Sequence, residues 1–218
     1  MRVIILITLL IYTFSFNLRQ TKQNYDSYVM AVQWSNGYCK AYNCGSKADH
    51  IYKNTMNIHG LWPSLKSGKM LDTCTSGVNI IDIGNSLFKN MRQYWPSFGN
   101  SNEDFWEHEY NKHGYCMVEE YRWDGYEEYF DFVLQLFQKD YKNLIINAFP
   151  NLKSKTVSIT YSEMKQKIQK VIPNATFNMK CQSKFIYEFY FYLEKNSFKP
   201  STNSKFSNSC PSGILLFK

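Results

Sequence analysis

The chain has no Cys-x-x-Cys pair, which leaves thioredoxin-type redox chemistry and a structural zinc site without support. Its one His-Glu pair, His108-Glu109, is followed at i+4 by Lys112 rather than by a second histidine. The zinc-protease motif needs histidines at i and i+4 on one helix face. A lysine beside the would-be ligands repels a cation and favours an anion, so no metal and no cofactor is expected. Beyond the first sixteen residues no run is long and apolar enough for a membrane helix. No linker, repeat or low-complexity block divides the remainder, and the strand and helix signals lack a regular βαβ rhythm. That excludes a doubly wound parallel sheet and points to one α+β domain.

What is present begins with a targeting signal. Arg2 precedes an almost unbroken apolar run, Val3–Phe16, with the length of a secretory h-region. Residues 1–15 read as a signal peptide cleaved after Ser15, the alternative being an uncleaved anchor. Residues 16–218 form a single domain, with no membrane contact after cleavage. Six cysteines follow, Cys39, Cys44, Cys74, Cys116, Cys181 and Cys210. An even count behind a signal implies a disulfide framework whose connectivity the spacing leaves open. Asn174-Ala175-Thr176 is a glycosylation sequon for Asn174. A net charge of +7 favours a polyanionic partner.

Periodicity places the elements. Tyr28–Trp34 alternates as a half-buried strand, and Cys39–Cys44 encloses a short loop that a local disulfide could pin. Asn54–Ser64 reads as a strand running into a Gly/Pro turn. Ile83–Tyr94 has helical spacing and stops before Trp95-Pro96. Tyr126–Ile146 reads as one long amphipathic helix with Tyr129, Phe132, Val133, Leu136, Phe137 and Leu144 as its apolar stripe. Ser162–Ile172 is a shorter helix. Phe185–Leu193 reads as a central strand with Phe185, Tyr187, Phe189, Phe191 and Leu193 on one face, and Gly213–Phe217 as a last short strand. The aromatic content (Tyr 17, Phe 16) leans toward sheet.

Chemistry concentrates in Phe105–Cys116, F-W-E-H-E-Y-N-K-H-G-Y-C, which holds two of the four histidines. On an α-helix His108, Glu109, Lys112 and His113 fall within an arc of roughly 140°. One face would carry two imidazoles, an ammonium and a carboxylate, suited to an anion that gains and loses protons. Taken alone, the run could be a solvated charged helix. The aromatic flanks Phe105, Trp106, Tyr110 and Tyr115 argue against full exposure. A third histidine, His59, sits in I-H-G-L-W-P, where Trp62 offers a large face for stacking a nucleobase. His50, with nothing comparable around it, reads as surface. RNA brings its own nucleophile, the 2′-OH, and needs only a base, an acid and positive charge on the phosphate.

At Asn57–Pro63 (N-I-H-G-L-W-P) and Phe105–Cys116 the chain resembles the two active-site segments of the ribonuclease T2 family, and the resemblance extends over about Tyr28 to Phe217. It implies an α+β fold with an antiparallel β-sheet flanked by several helices. The implied activity is endonucleolytic cleavage of single-stranded RNA, without metal, through 2′,3′-cyclic phosphates to 3′-phosphates. By the family pattern His113 is the base for the 2′-OH and His59 the acid for the leaving 5′-oxygen. His108 holds phosphate, Glu109 and Lys112 support the transition state, and Trp62 lines the base pocket. The implied disulfides are Cys39–Cys44, Cys74–Cys116 and Cys181–Cys210. Many members carry an acid after the Trp-Pro pair where this chain has Ser64, so base specificity is expected to be low. A monomer is expected, outside the cell or in a vacuole or lysosome. The competing class is a secreted RNA-binding or cytotoxic signalling protein on the same fold.

Overall fold

In β1 (Ser27–Trp34) alternate residues Tyr28, Met30, Val32 and Trp34 enter the main core, while Val29, Ala31 and Gln33 face the other way. This strand and its neighbours form the frame of a computed structural model. The structure describes residues 24–216 apart from 43, 45–53, 72–73, 75, 81, 100, 151, 153–155, 203–209 and 212. The expected signal peptide and His50 lie outside the described residues. Strands β2 (Met56–Ser64), β3 (Val157–Ile159), β4 (Phe177–Gln182), β5 (Phe185–Glu194) and β6 (Ile214–Leu216) complete one sheet. Its order is β2-β1-β5-β6-β3, with β4 also on β5, and every pairing is antiparallel except a single β5–β6 contact. Helices α1 (Ser35–Tyr42), α2 (Asn85–Tyr94), α3 (Asn102–Glu109), α4 (Tyr115–Tyr121), α5 (Tyr126–Asp140), α6 (Leu144–Ala148) and α7 (Tyr161–Val171) surround it.

The expected α+β class and the antiparallel sheet with its helices are what the structure shows. Several element boundaries differ. The stretch 39–44 is not simply a loop, because Cys39 lies inside α1 and its disulfide to Cys44 closes the end of that helix. Strand β2 does not turn at Gly60 but runs through Pro63 to Ser64. Proline is tolerated there because β2 is the sheet edge, where one side of the strand needs no ladder donor. The single helix expected over 126–146 is two, since the chain turns over 141–143 before α6. Tyr141, Leu144 and Ile145 are all buried, so the break lets both pieces bury their apolar faces. Strand β4 was not anticipated.

Two β-bulges decide which side chains share a face. Opposite Ala31/Val32, β2 supplies Gly60 and Ile58, leaving His59 as the extra residue. Without it, Ile58 and Leu61, three apart, would point to opposite faces, as would His59 and Trp62. With it, Met56, Ile58 and Leu61 all enter the core, while His59 and Trp62 share the outer face. In β5 the extra residue is Tyr187, between Ile186 and Glu188. Ile186 and Phe189 both face the core as a result. The single aromatic face expected for Phe185–Leu193 therefore breaks at Tyr187, which turns with Glu188 toward the outer face. All three disulfides implied by the resemblance form: Cys39–Cys44, Cys74–Cys116 and Cys181–Cys210.

Candidate active site

The segment that carries His108 and His113 is not a uniform α-helix. It starts cleanly: the Ser101 hydroxyl accepts from the Asp104 N–H (3.1 Å), and Glu103 and Asp104 occupy the first turn. After Glu109 the backbone widens into a π-helical turn over Tyr110–Gly114, and the Tyr115 N–H reaches back to the Tyr110 carbonyl. Such turns insert a residue into a helix and occur often at functional sites. The 140° arc expected from ideal α spacing therefore does not describe His113, which stands a full widened turn beyond His108. Cys116 lies within α4, which continues the helix, rather than in a terminal turn. Gly114 makes the wide turn fit. A Cβ there would come within 2.7 Å of the Tyr129 ring on α5.

Three indoles tie this helix to strand β2. Trp106 donates to the Trp95 carbonyl (2.7 Å), and Trp95 donates to the carbonyl of His59 itself (2.8 Å). Trp62 donates to Oε2 of Glu109 (2.7 Å). The bulged His59 is thus held through its own backbone by the element that precedes α3. Its ring packs edge-on against Trp62 (centroids 4.9 Å apart), and Trp62 also meets His113 (5.3 Å). Both imidazoles pack on the same indole.

Burial and charge together set the two histidines in opposite states. His59 Nδ1 makes a short hydrogen bond to Glu188 Oε1, and its Nε2 lies 3.6 Å from Glu109 Oε1. Burial alone would lower its pKa, but the charge and hydrogen bond of Glu188, with the charge of Glu109, raise it to about 9. Burial pushes Glu109 up to about 7, against the pull of His59 and the Trp62 donor. For His113, burial together with the charges of His108, His59 and Lys112 outweighs its bond to the Leu71 carbonyl and lowers it to about 4. His108 is exposed and also lowered, by partial burial and then by Lys112 and His59. At neutral pH His59 is therefore charged and His113 neutral. The Leu71 carbonyl can only accept, so at 3.1 Å it fixes the His113 proton on Nδ1 and leaves the Nε2 lone pair open.

The structure brings His59, Glu109, His113 and Trp62 into direct contact, with His108 and Lys112 exposed on the same helix and coupled to them by charge. It does not bring in Ser64. That side chain is buried and its hydroxyl donates to the Leu65 and Lys69 carbonyls (3.3 and 3.4 Å). Trp62, expected to offer an open face, is only 5% exposed and packs against both imidazoles. Beside His59 opens a cleft of about 440 Å³ walled by Tyr38, Phe98, Phe105, Tyr187 and Tyr190. Sequence reasoning missed Gln33 and Glu188, which line it as well. A lone acid within the aromatic run Phe185–Leu193 was the available signal, since Glu is rarely buried without a partner.

An edge strand and a widened helix bring two imidazoles, one bonded to a carboxylate and one to a carbonyl, against a single indole on an α+β fold. The chain belongs to the ribonuclease T2 family, whose model matches residues 25–209. A ribonuclease T2-like protein of Emericella nidulans is 26% identical over 188 residues, covering 76% of this chain and 45% of that protein. Ribonuclease S-3 of Petunia hybrida is 27% identical over 175 residues, covering 76% and 73%. This chain spans about half the length of several of the curated relatives it matches. Among solved structures, the self-incompatibility-associated SF11-RNase of Nicotiana alata superposes with a TM-score of 0.72 at 19% identity, covering 89% of this chain and 100% of that one.

Proposed function

We propose that the protein is an endoribonuclease that cleaves single-stranded RNA by transphosphorylation. His113 Nε2 takes the 2′-OH proton while the 2′-oxygen attacks phosphorus. His59 protonates the departing 5′-oxygen, releasing it and leaving a 2′,3′-cyclic phosphate. In a second step the roles reverse: His59 accepts a proton from water, which opens the ring to a 3′-phosphate as His113 returns its proton. Lys112 and His108, exposed beside the pair, face the phosphate, and Glu109 balances the positive charge that His59 carries until it gives up its proton. The observation that carries this reading is a pair of half-buried imidazoles packed on one indole, one bonded to a carboxylate and the other to a backbone carbonyl.

The nucleotide 3′ to the cleaved bond leaves from the His59 side, so the aromatic cleft suits its base. Base preference should be broad, because Ser64 is turned inward and its hydroxyl is bound to the Leu65 and Lys69 carbonyls. Cleavage of a defined single-stranded RNA in excess chelator, with product ends resolved, tests the reading. Cyclic phosphates appearing first and 3′-phosphates later support it. Absence of cleavage, or direct 5′-phosphate products, overturns it. Retention of every acid, base and cation favours this activity over a purely binding role. The disulfides and the exposed Asn174 of the sequon support a glycosylated, secreted or vacuolar protein.

A further inference from the structure

Glu188 has no place in the mechanism as drawn from the two motif segments, yet it makes the tightest contact any side chain makes with His59. We propose that Glu188 is a positioning residue for the proposed cleavage. By accepting from His59 Nδ1–H it fixes the ring so that Nε2, and only Nε2, delivers the proton to the leaving 5′-oxygen. The inference rests on the function proposed above and assigns the acid's tautomer and its anchor.

The geometry is specific. Glu188 is 3% exposed, on a strand whose other residues up to Leu193 are all aromatic or aliphatic. A carboxylate is rarely sealed in such a setting without a partner. It faces His59 because of two separate irregularities, the bulge at Tyr187 and the bulge at His59 itself. In the register between them, Glu188 pairs with Gln33 of β1, whose Nε2 lies 3.5 Å from Glu188 Oε1. Tyr190, next on the same face, also hydrogen-bonds Glu188 and is itself shifted upward by burial first and by Glu188 second. Across the sheet Lys180 is paired with Glu188, its ammonium lying over the Tyr190 ring at 5.3 Å. The carboxylate is therefore held by its own neighbours before it holds the histidine.

The consequence for the proton is definite. An ionised carboxylate can only accept, so Nδ1 must be the donor and keeps its hydrogen throughout. In the cleavage step the P–O5′ bond breaks, its electron pair stays on the 5′-oxygen, and the Nε2 proton moves there. His59 is left neutral with hydrogen on Nδ1. Nε2 is then the free acceptor that the second step requires. This is the arrangement in which a third group orients an acid–base imidazole. The groups facing His59 are Glu188 from β5, Glu109 from α3, and the His108 and His113 imidazoles with Lys112 beside them. Only Glu188 binds Nδ1 as a charge. Glu109 lies on the Nε2 side, where the substrate must arrive.

The test uses Glu188→Gln and Glu188→Asp in the full chain. On a dinucleotide, Glu188→Gln should lower kcat by about 10²-fold with KM little changed, the low end of what a general acid contributes. The alkaline limb of its rate profile should fall from about 9 toward the ordinary histidine value near ~6.5, with the acid limb in place. A nucleoside 3′-phosphate ester with an activated aryl leaving group needs no proton, so on that substrate the variant should lose only a few-fold. Glu188→Asp should recover part of the loss. Equal losses on both substrates with an unmoved alkaline limb would overturn the proposal. Histidine-selective NMR titration keeps the inference separate from the activity. If the wild-type protein cleaves no RNA, the function fails, but a His59 signal that titrates near 9 with hydrogen on Nδ1, and drops in Glu188→Gln, still upholds the anchor. A His59 titration unchanged in Glu188→Gln overturns it whether or not the protein is active.

Discussion

Gly60 lies directly beneath Glu109: a Cβ built on it would sit 2.1 Å from Oε2 of that carboxylate and 2.3 Å from the Trp62 indole nitrogen. The glycine beside His59 is therefore present for space. It lets the Trp62–Glu109 hydrogen bond close against the strand backbone. Gly60→Ala should drive these two groups apart and destabilise the fold by about 1–3 kcal/mol, the usual cost of overpacking. Urea denaturation should show a lower midpoint at unchanged slope. Turnover should fall as well, because Glu109 leaves its position near His59.

The pH dependence follows from the two imidazoles. As free histidines both would titrate near ~6.5 and give a narrow bell. Burial among cations lowers His113 to about 4, and the carboxylates raise His59 to about 9. A base must be neutral, so kcat/KM should rise as pH increases through about 4. An acid must be protonated, so it should fall as pH increases through about 9. Between them lies a broad plateau. A bell confined to one unit around 6.5 in the free enzyme would contradict this site. His59→Ala and His113→Ala should each cost about 10²–10⁴-fold in turnover.

How much of this could be read beforehand depends on what kind of signal each residue carries. His59, His108, Glu109, Lys112 and His113 stand in two dense motifs, so types and spacing alone announced them. Glu188 stands alone, and its orientation depends on a bulge that simple alternation does not foresee. The same alternation misplaced Tyr187 on the core face. The π-helical turn was hidden for a related reason, since a 100° wheel assumes uniform winding. Trp62 and Ser64 were placed by type rather than environment: an indole can stack on a base, but here its nitrogen is bound by Glu109 and its faces by two imidazoles and Tyr190. Element existence was legible wherever periodicity was strong. The break at 141–143 was not, because the apolar pattern continues across it.

Trp62→Phe separates packing from hydrogen bonding at the indole that both imidazoles touch. The ring remains, but Glu109 loses the donor that holds its pKa down. Glu109 should then titrate above about 7, leaving more of it protonated at neutral pH. Removing a donor from a carboxylate that is 2% exposed should cost about 1–3 kcal/mol of stability. Infrared or NMR titration of the Glu109 carboxyl checks the direction. A downward shift would mean that the indole nitrogen does not serve this group.

The Cys74–Cys116 bond closes a separation of 42 residues and ties α4 to the chain that follows β2. In the chain-entropy picture such a loop contributes about 4 kcal/mol. Replacing both cysteines by serine should lower the unfolding free energy by about that amount and loosen the helix that carries His113. Peptide mapping of unreduced wild-type protein should recover Cys74 joined to Cys116.

Lys112 tests whether the exposed charge acts on chemistry or only on attraction of RNA. Its ammonium is one of the cations that lower His113, along with His108 and His59. Removing it in Lys112→Gln should let the His113 pKa rise, so the acid limb should move upward from about 4 while the alkaline limb, governed by His59 and its carboxylates, stays put. In the proposed reaction Lys112 supports the crowded phosphorane, so single-turnover cleavage of a dinucleotide should slow by about 10–10²-fold with binding less affected. His108→Ala should divide the other way if its imidazole holds phosphate, raising KM more than it lowers kcat. Lys112→Arg keeps the charge and should restore the acid limb, though its planar fork need not restore the full rate. A Lys112→Gln variant whose acid limb does not move, and whose loss disappears in saturating RNA, would show that this lysine steers substrate and leaves the base untouched.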